Sequence, residues 1–272
     1  MRVSQLIFIG QPALSTAIQE QIAESVGTRG YDDDEEGMNE VLDGIRDAWL
    51  QQGYFNTKAD LTGTQIVDET AETRTLAVTV SVIAGKKYRL GEIGFEFTIY
   101  NPARRSRAIL DNGEVQGRFS KSDLRAFFPI KEGDVFDTHK MQQGLEALRE
   151  AYGKMGFINL SQMPVTKVDE TNDLITVTVE IDEGIQFHIG RIEVPNVDAQ
   201  IASKLLAESG ITTGDVFDSS RIEEFRKQLR TQLSVDLKAD DVTRSLEAER
   251  ETVDLFFYIY SCATPTTDSV SN

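Results

Sequence analysis

Cysteine is almost absent from this 272-residue chain: Cys262 stands alone, so no disulfide can form within it and the redox compartment stays open. Histidine is nearly as scarce. His139 and His188 lie far apart and neither has a partner at metal-binding spacing, so both read as structural. No glycine loop of the GxGxxG or Walker type occurs, and no GxSxG turn, which removes the usual phosphate cradle and nucleophile. Long apolar runs are missing too. The longest, at residues 6–9 and 255–260, fall far short of the ~20 residues a membrane helix needs, and the N-terminus carries no signal-peptide pattern. Basic residues are outnumbered, 28 Lys+Arg against 45 Asp+Glu, for a net charge of −17 and a pI near 4.6. That balance disfavours nucleic-acid phosphates and anionic membranes as general partners and reads as a solvated, solubilising surface. The acidic run at residues 32–36 lacks the spacing and glycine of a calcium loop and reads as an acidic helix start.

What is present is repetition. Apolar residues make up 40% of the chain, enough for real cores. In residues 133–159, Asp137 is placed as an N-cap, and Met141, Leu145, Leu148 and Tyr152 give a helix one apolar stripe. Gly156 stops that helix, and Phe157 and Ile158 lead into extended chain. Residues 45–56, IRDAWLQQGYFN, match residues 148–159, LREAYGKMGFIN, with Met38, Leu42, Ile45 and Trp49 on the corresponding stripe. GKKYRLGEI at 85–93 matches GIQFHIGRI at 184–192, and an alternating strand precedes each copy, Leu76, Val78, Val80 and Val82 against Ile175, Val177, Val179 and Ile181. GDVFD occurs at 133–137 and again at 214–218.

Three units follow, each reading strand, helix, helix, strand, strand. In the first, strands are predicted at 3–10, 56–68 and 74–84, with helices at 13–26 and 35–52. In the third, strands are predicted at 190–194, 236–243 and 252–261, with helices at 198–209 and 218–233. Arg226 interrupts the third stripe, and that unit lacks the glycine-aromatic helix exit, so its last junction must be built differently. The joints at 86–91 and 186–191 leave almost no linker, which restricts neighbouring units in orientation. The stretch from Ile93 to Gly133 is nearly twice as long as that from Ile192 to Gly214; its surplus, at about 98–119, carries Arg104, Arg105 and Arg107. It reads as a surface loop or additional hairpin, or as a partner-binding loop.

This pattern resembles the POTRA domain, the polypeptide-transport-associated module found in tandem before the barrel of Omp85-family outer-membrane proteins. GDVFD, the run Leu148, Tyr152, Gly156, Phe157, and Gly184, Phe187, Gly190 carry the resemblance, which spans about 260 residues. It implies an α+β chain of three tandem β-α-α-β-β domains, each a three-stranded mixed sheet covered on one face by two helices. They would span 1–88, 89–187 and 188–262, with 263–272 a loose tail. Three copies look most like the periplasmic part of a barrel-assembly or translocation-and-assembly factor, although no barrel follows residue 262 in this sequence.

The resemblance implies no enzyme, cofactor, metal or nucleic-acid partner. It implies a periplasmic scaffold that binds unfolded outer-membrane proteins and docks accessory proteins or lipoproteins, touching the membrane only through a missing barrel. The alternative is a stand-alone interaction module of the divisome or two-partner-secretion type. An edge strand can accept an extended peptide as a further strand. The resemblance puts that edge on the second strand of each unit, with Asn56, Lys58 and Asp60 in the first, Asn159 and Ser161 in the second, and Asp236 and Lys238 in the third. Pro164 interrupts the middle strand, leaving the first and third as the better surfaces.

Overall fold

The computed structural model of the protein describes residues 1–11, 14–70, 72–101, 106–109 and 117–259. The expected tail at 263–272, and Arg104 and Arg105 of the insertion, lie outside them. The elements run β1 (Arg2–Gln11), α1 (Thr16–Gly27), α2 (Glu35–Gln51), β2 (Lys58–Glu69), β3 (Arg74–Ile83), β4 (Arg89–Asn101), β5 (Ser106–Ile109), α3 (Lys121–Ala126) and α4 (Thr138–Gly153). They continue β6 (Ser161–Asp169), β7 (Leu174–Asp182), β8 (His188–Glu193), α5 (Ala199–Ser209), α6 (Ser219–Leu233), β9 (Val242–Glu247) and β10 (Thr252–Phe257). Three sheets form among the described residues, ordered β1-β3-β2, β5-β4-β7-β6 and β8-β10-β9. The predicted α+β order is therefore observed.

In each sheet the last strand of the repeat lies inside, and its alternation explains why. Leu76, Val78, Val80 and Val82 of β3 are buried, while the residues between them are half-buried. The same alternation runs through β7 and β10. In the first sheet β1 pairs parallel with β3 and β2 antiparallel with it. In the third, β8 is parallel to β10 and β9 antiparallel. Both are mixed sheets with one apolar face turned to the helices. The middle sheet departs from the expected three strands. Part of the insertion forms β5, which pairs antiparallel with the end of β4 from Thr98 opposite Ile109 to Asn101 opposite Ser106. The additional-hairpin reading of the surplus is the one realised there.

Local chemistry sets the helices. The Asp34 side chain caps α2 by accepting from the Gly37 amide at 2.9 Å, with Glu35 and Glu36 in the first turn, so the acidic run is a helix start. Trp49 is fully buried and meets Phe8 edge-on, with ring centroids 5.1 Å apart. In the third sheet's core, Phe225 and Phe257 meet in the same way at 5.0 Å.

Contacts group the chain into two compact units. One comprises Met1–Phe95, Lys121–Leu145 and Pro164–Val179, the other Glu96–Ser120, Glu146–Met163 and Glu180–Asn272. Each holds one copy of the same joint. In the first, the Tyr88 amide donates to the Gly53 carbonyl at 2.8 Å and the Phe136 amide to the Tyr88 carbonyl at 3.0 Å. The Leu90 amide donates to Asp134 and the Gly133 amide to Leu90, at 2.9 and 2.7 Å. In the second unit the Phe187 amide donates to Gly156 and the Phe217 amide to Phe187, both at 2.9 Å. The Ile189 amide donates to Asp215 and the Gly214 amide to Ile189, both at 2.7 Å. The repeated GDVFD and glycine-aromatic segments are the two jaws of this clamp.

The third helix exit lacks those jaws and is built another way. Ser234 takes the left-handed conformation at the end of α6, with φ 52°. Arg226, the residue that breaks the stripe, donates to the Leu237 carbonyl and holds Glu223 at 2.6 Å. A short 3-10 turn at Ala239–Asp241 follows, so β9 starts at Val242, later than the predicted 236.

The clamp predicts a contrast between two glycines. Gly156 and Gly133 both have positive φ, 85° and 82°. A Cβ on Gly156 would stand 2.8 Å from the Phe187 carbonyl oxygen, whereas one on Gly133 would meet nothing within 4 Å. Gly133→Ala is expected to cost only the left-handed penalty, about 1–2 kcal/mol. Gly156→Ala should cost about 2–5 kcal/mol, since overpacking adds to that strain. Urea unfolding midpoints measure the difference, and equal losses would rule the clamp out as its cause.

Candidate protein-interaction edges

The second strand of each repeat lies at the outside of its sheet: β2, β6 and β9. An outermost strand has one side of its backbone free of ladder partners, so each offers amide and carbonyl groups to a further strand. The side chains on the core side distinguish the three.

On β2, Ala59 lies opposite Val82, Leu61 opposite Val80 and Ile66 opposite Leu76, all pairs with buried central-strand residues. Ala59 is buried, and its carbonyl accepts from the Arg46 guanidinium at 2.8 Å. Beyond it the helical cover ends: Leu61 is 41% exposed and Ile66 52%, although both share the core side of the sheet. Register shifts at Thr62 and Val67 bend this strand. On β6, Met163 and Val165 are each 43% exposed and flank Pro164, which has no amide to donate. On β9, Val242, Arg244 and Leu246 lie opposite Phe257, Leu255 and Val253, the buried row of β10. Thr243, Ser245 and Glu247 make up its other face.

The residues singled out from the sequence divide accordingly. Lys58 and Asp60 lie on β2 and Ser161 opens β6. Asn56 and Asn159 stand in the turns just before those strands, and Asn56 donates its side-chain amide to the Tyr88 hydroxyl at 3.2 Å. Asp236 and Lys238 are not on an edge strand. Asp236 pairs with Arg230 at 3.5 Å, and the Lys238 amide donates to Asp241 at 2.7 Å to start the 3-10 turn. The rebuilt helix exit consumes these residues before the strand begins. Arg107 lies on β5 opposite Tyr100. Sequence reasoning missed Arg244 and Leu246, because the predicted third strand ended at residue 243; the alternation of Val242, Arg244 and Leu246 was the available signal.

Two buried tyrosine hydroxyls tie down the surroundings. Tyr152 donates to Glu183 at 2.6 Å, and the Arg118 amide donates to the same carboxylate oxygen at 2.8 Å. Burial, then the Glu183 bond, pushes the Tyr152 phenol far above its ordinary range. Phe119 packs edge-on against Tyr152 at 5.0 Å, so residues 118–119, where the insertion ends, are fixed to the body of the domain. Tyr88 donates to Glu170 at 2.8 Å, while Lys86 pairs with Asp173 at 2.9 Å beside it. His139 lies in the first turn of α4 and His188 opens β8. Among the described residues there is no cluster of three metal-ligating side chains, and no helix is long and apolar enough to cross a membrane. The chemistry these edges can perform is main-chain pairing.

Three comparisons agree with this architecture. Residues 110–184 match the POTRA family model, described as a surface antigen variable number repeat. A putative outer membrane protein assembly factor from Treponema pallidum is 20% identical over 231 residues. That alignment takes in 84% of this chain but 25% of the relative, so the chain spans about a quarter of the relative's length. The crystal structure of BamA POTRA3-5 from Haemophilus influenzae superposes with a TM-score of 0.64 at 19% identity, covering 96% of each chain. At that identity the superposition establishes the fold.

Carboxylates held as anions give a pH dependence. The Glu223 carboxyl lies below its ordinary value of 4.5 because Arg226 donates to it. Asp169 and Asp215 lie below 3.8 because Asn172 and the Thr212 amide, respectively, donate to them. Each group is more acidic folded than unfolded, so its contribution is present above its unfolded pKa and lost as pH falls through the folded one. Stability should therefore decline below about pH 4.5. Glu223→Gln should flatten that decline in urea midpoints measured between pH 3 and 6; an unchanged slope would remove Glu223 from the account.

Proposed function

We propose that this tandem of POTRA-type domains is a non-enzymatic periplasmic scaffold that receives unfolded outer-membrane proteins by strand addition. The same reading divides the chain into domains at 1–88, 89–187 and 188–262, and has it dock accessory periplasmic proteins or lipoproteins. The observation that carries it is the pair of outermost strands β2 and β9, whose core-side residues Leu61, Ile66 and Leu246 are at least 41% exposed. A protein with no use for these edges gains nothing by leaving apolar core-side residues uncovered beside a free backbone. Main-chain pairing tolerates many sequences, which suits a receptor for many precursors, while the alternating faces favour segments of alternating polarity. The fold of the BamA domains and the assembly-factor relative support this reading. Pro164 withholds an amide from β6, and β5 covers the end of β4, so the middle sheet is the poorest receptor. On the same reading the insertion, besides supplying β5, would also dock a partner through Arg104, Arg105 and Arg107.

Isotope-labelled protein titrated with a peptide of a barrel strand tests the proposal. Amide shifts are expected along residues 58–69 and 242–247, with smaller ones along 161–169. Leu61→Lys with Ile66→Lys should abolish the β2 shifts without unfolding the sheet, because both side chains are already half exposed. Shifts confined to β6, or none on any edge, would refute it.

A further inference from the structure

We infer that Arg244 makes β9 selective for an extended segment that carries a carboxylate among the side chains facing the helices. This deepens the strand-addition reading and rests on it. The core-side row of β9 is Val242, Arg244 and Leu246, so a cation sits in the middle of an otherwise apolar row opposite the buried residues of β10. Its guanidinium lies over the Phe217 ring, 5.5 Å from the centroid, and that ring is 1% exposed. The arginine thus lies against the rim of the third core. Among the described residues it makes no ion pair, in a chain with 45 acidic side chains, and its own strand ends in Glu247 on the opposite face.

An added strand would place one side chain next to Arg244, with Cβ atoms about 5 Å apart. A wholly apolar neighbour would strip water from the guanidinium without compensation, which disfavours self-association of the edge. A carboxylate there forms a cross-strand ion pair over the aromatic rim. Arg244 therefore blocks apolar strands and admits one that brings an anion. The core side of β2 offers the contrast: Ala59, Leu61, Thr64 and Ile66 are uncharged and Glu69, at the end of the row, is already paired with Arg74 at 3.0 Å, so that edge should read apolar pattern alone.

Three dodecapeptides of alternating valine and threonine, differing only in one central valine-row position set to Glu, Gln or Lys, test this by titration into labelled protein. The Glu peptide should shift amides 242–247 with an affinity about two- to fivefold above the Gln peptide, and the Lys peptide should bind more weakly than either. Arg244→Gln should erase the order at β9, Arg244→Glu should reverse it toward Lys, and the response at β2 should follow no such order. The Glu preference should also shrink as sodium chloride rises. Equal β9 affinities for the three peptides, or an order that survives Arg244→Gln, would overturn this inference while leaving strand addition intact. Shifts at β2 with none at β9 for any peptide would do the same. Silence at both edges would overturn the strand-addition reading and this inference with it.

Discussion

One burial constraint governs the structure: the last strand of each repeat must hide an unbroken alternating row of apolar side chains. Val78, Val80 and Val82 of β3, Val177, Val179 and Ile181 of β7, and Val253, Leu255 and Phe257 of β10 are all essentially inaccessible. Removing such rows from water at roughly 25 cal/mol per Å² dominates the favourable side of folding. The helices cover that row on one face, and strands flank it on both sides. The second strand of the repeat is then left at the rim with its outer backbone unpaired. The position of the candidate receptor surface is thus a consequence of where the strongest strand must sit.

The joints show how the tandem is assembled without linkers. Four backbone hydrogen bonds, repeated residue for residue, tie the connecting strand to a helix exit on one side and to the GDVFD turn on the other. Backbone bonds of this kind contribute about 1 kcal/mol each when shielded, and they leave side chains free to differ. The joints do differ. Tyr88 and Lys86 engage Glu170 and Asp173 at the first, whereas Phe187 and Ile185 occupy the matching positions at the second. Buried Tyr152 with Glu183 is found where the first repeat has Trp49 and Ala84. Polarity at these places is specific to each copy, while the backbone scheme is common.

The edges reflect competing demands. Exposed strands invite self-association, and this chain bends β2 with two register shifts, interrupts β6 with Pro164 and sets Arg244 inward on β9. Each device raises the threshold for pairing, and each does so with different chemistry. A receptor for extended chains needs edges that are open to a partner and closed to its own copies. On the proposed strand-addition reading, different devices on different strands would give each edge its own selectivity.

Periodicity alone determined the element order, the core rows and the caps, because alternation and the helical stripe are local properties that burial enforces. Trp49 took its predicted place on the buried stripe for that reason. The repeats also located the joints, since a backbone clamp used twice demands the same turn glycines and small exits twice. Only the tertiary structure decided three matters. It showed β5 joining the middle sheet, a pairing between segments that no local pattern specifies. It moved the third edge strand from residue 236 to Val242, because Ser234, Arg226 and a 3-10 turn replace the glycine exit with contacts distant in sequence. And it separated Leu61 and Ile66, exposed on the core side, from equally apolar residues that the helices cover, since the reach of that cover depends on how far two helices extend over a sheet.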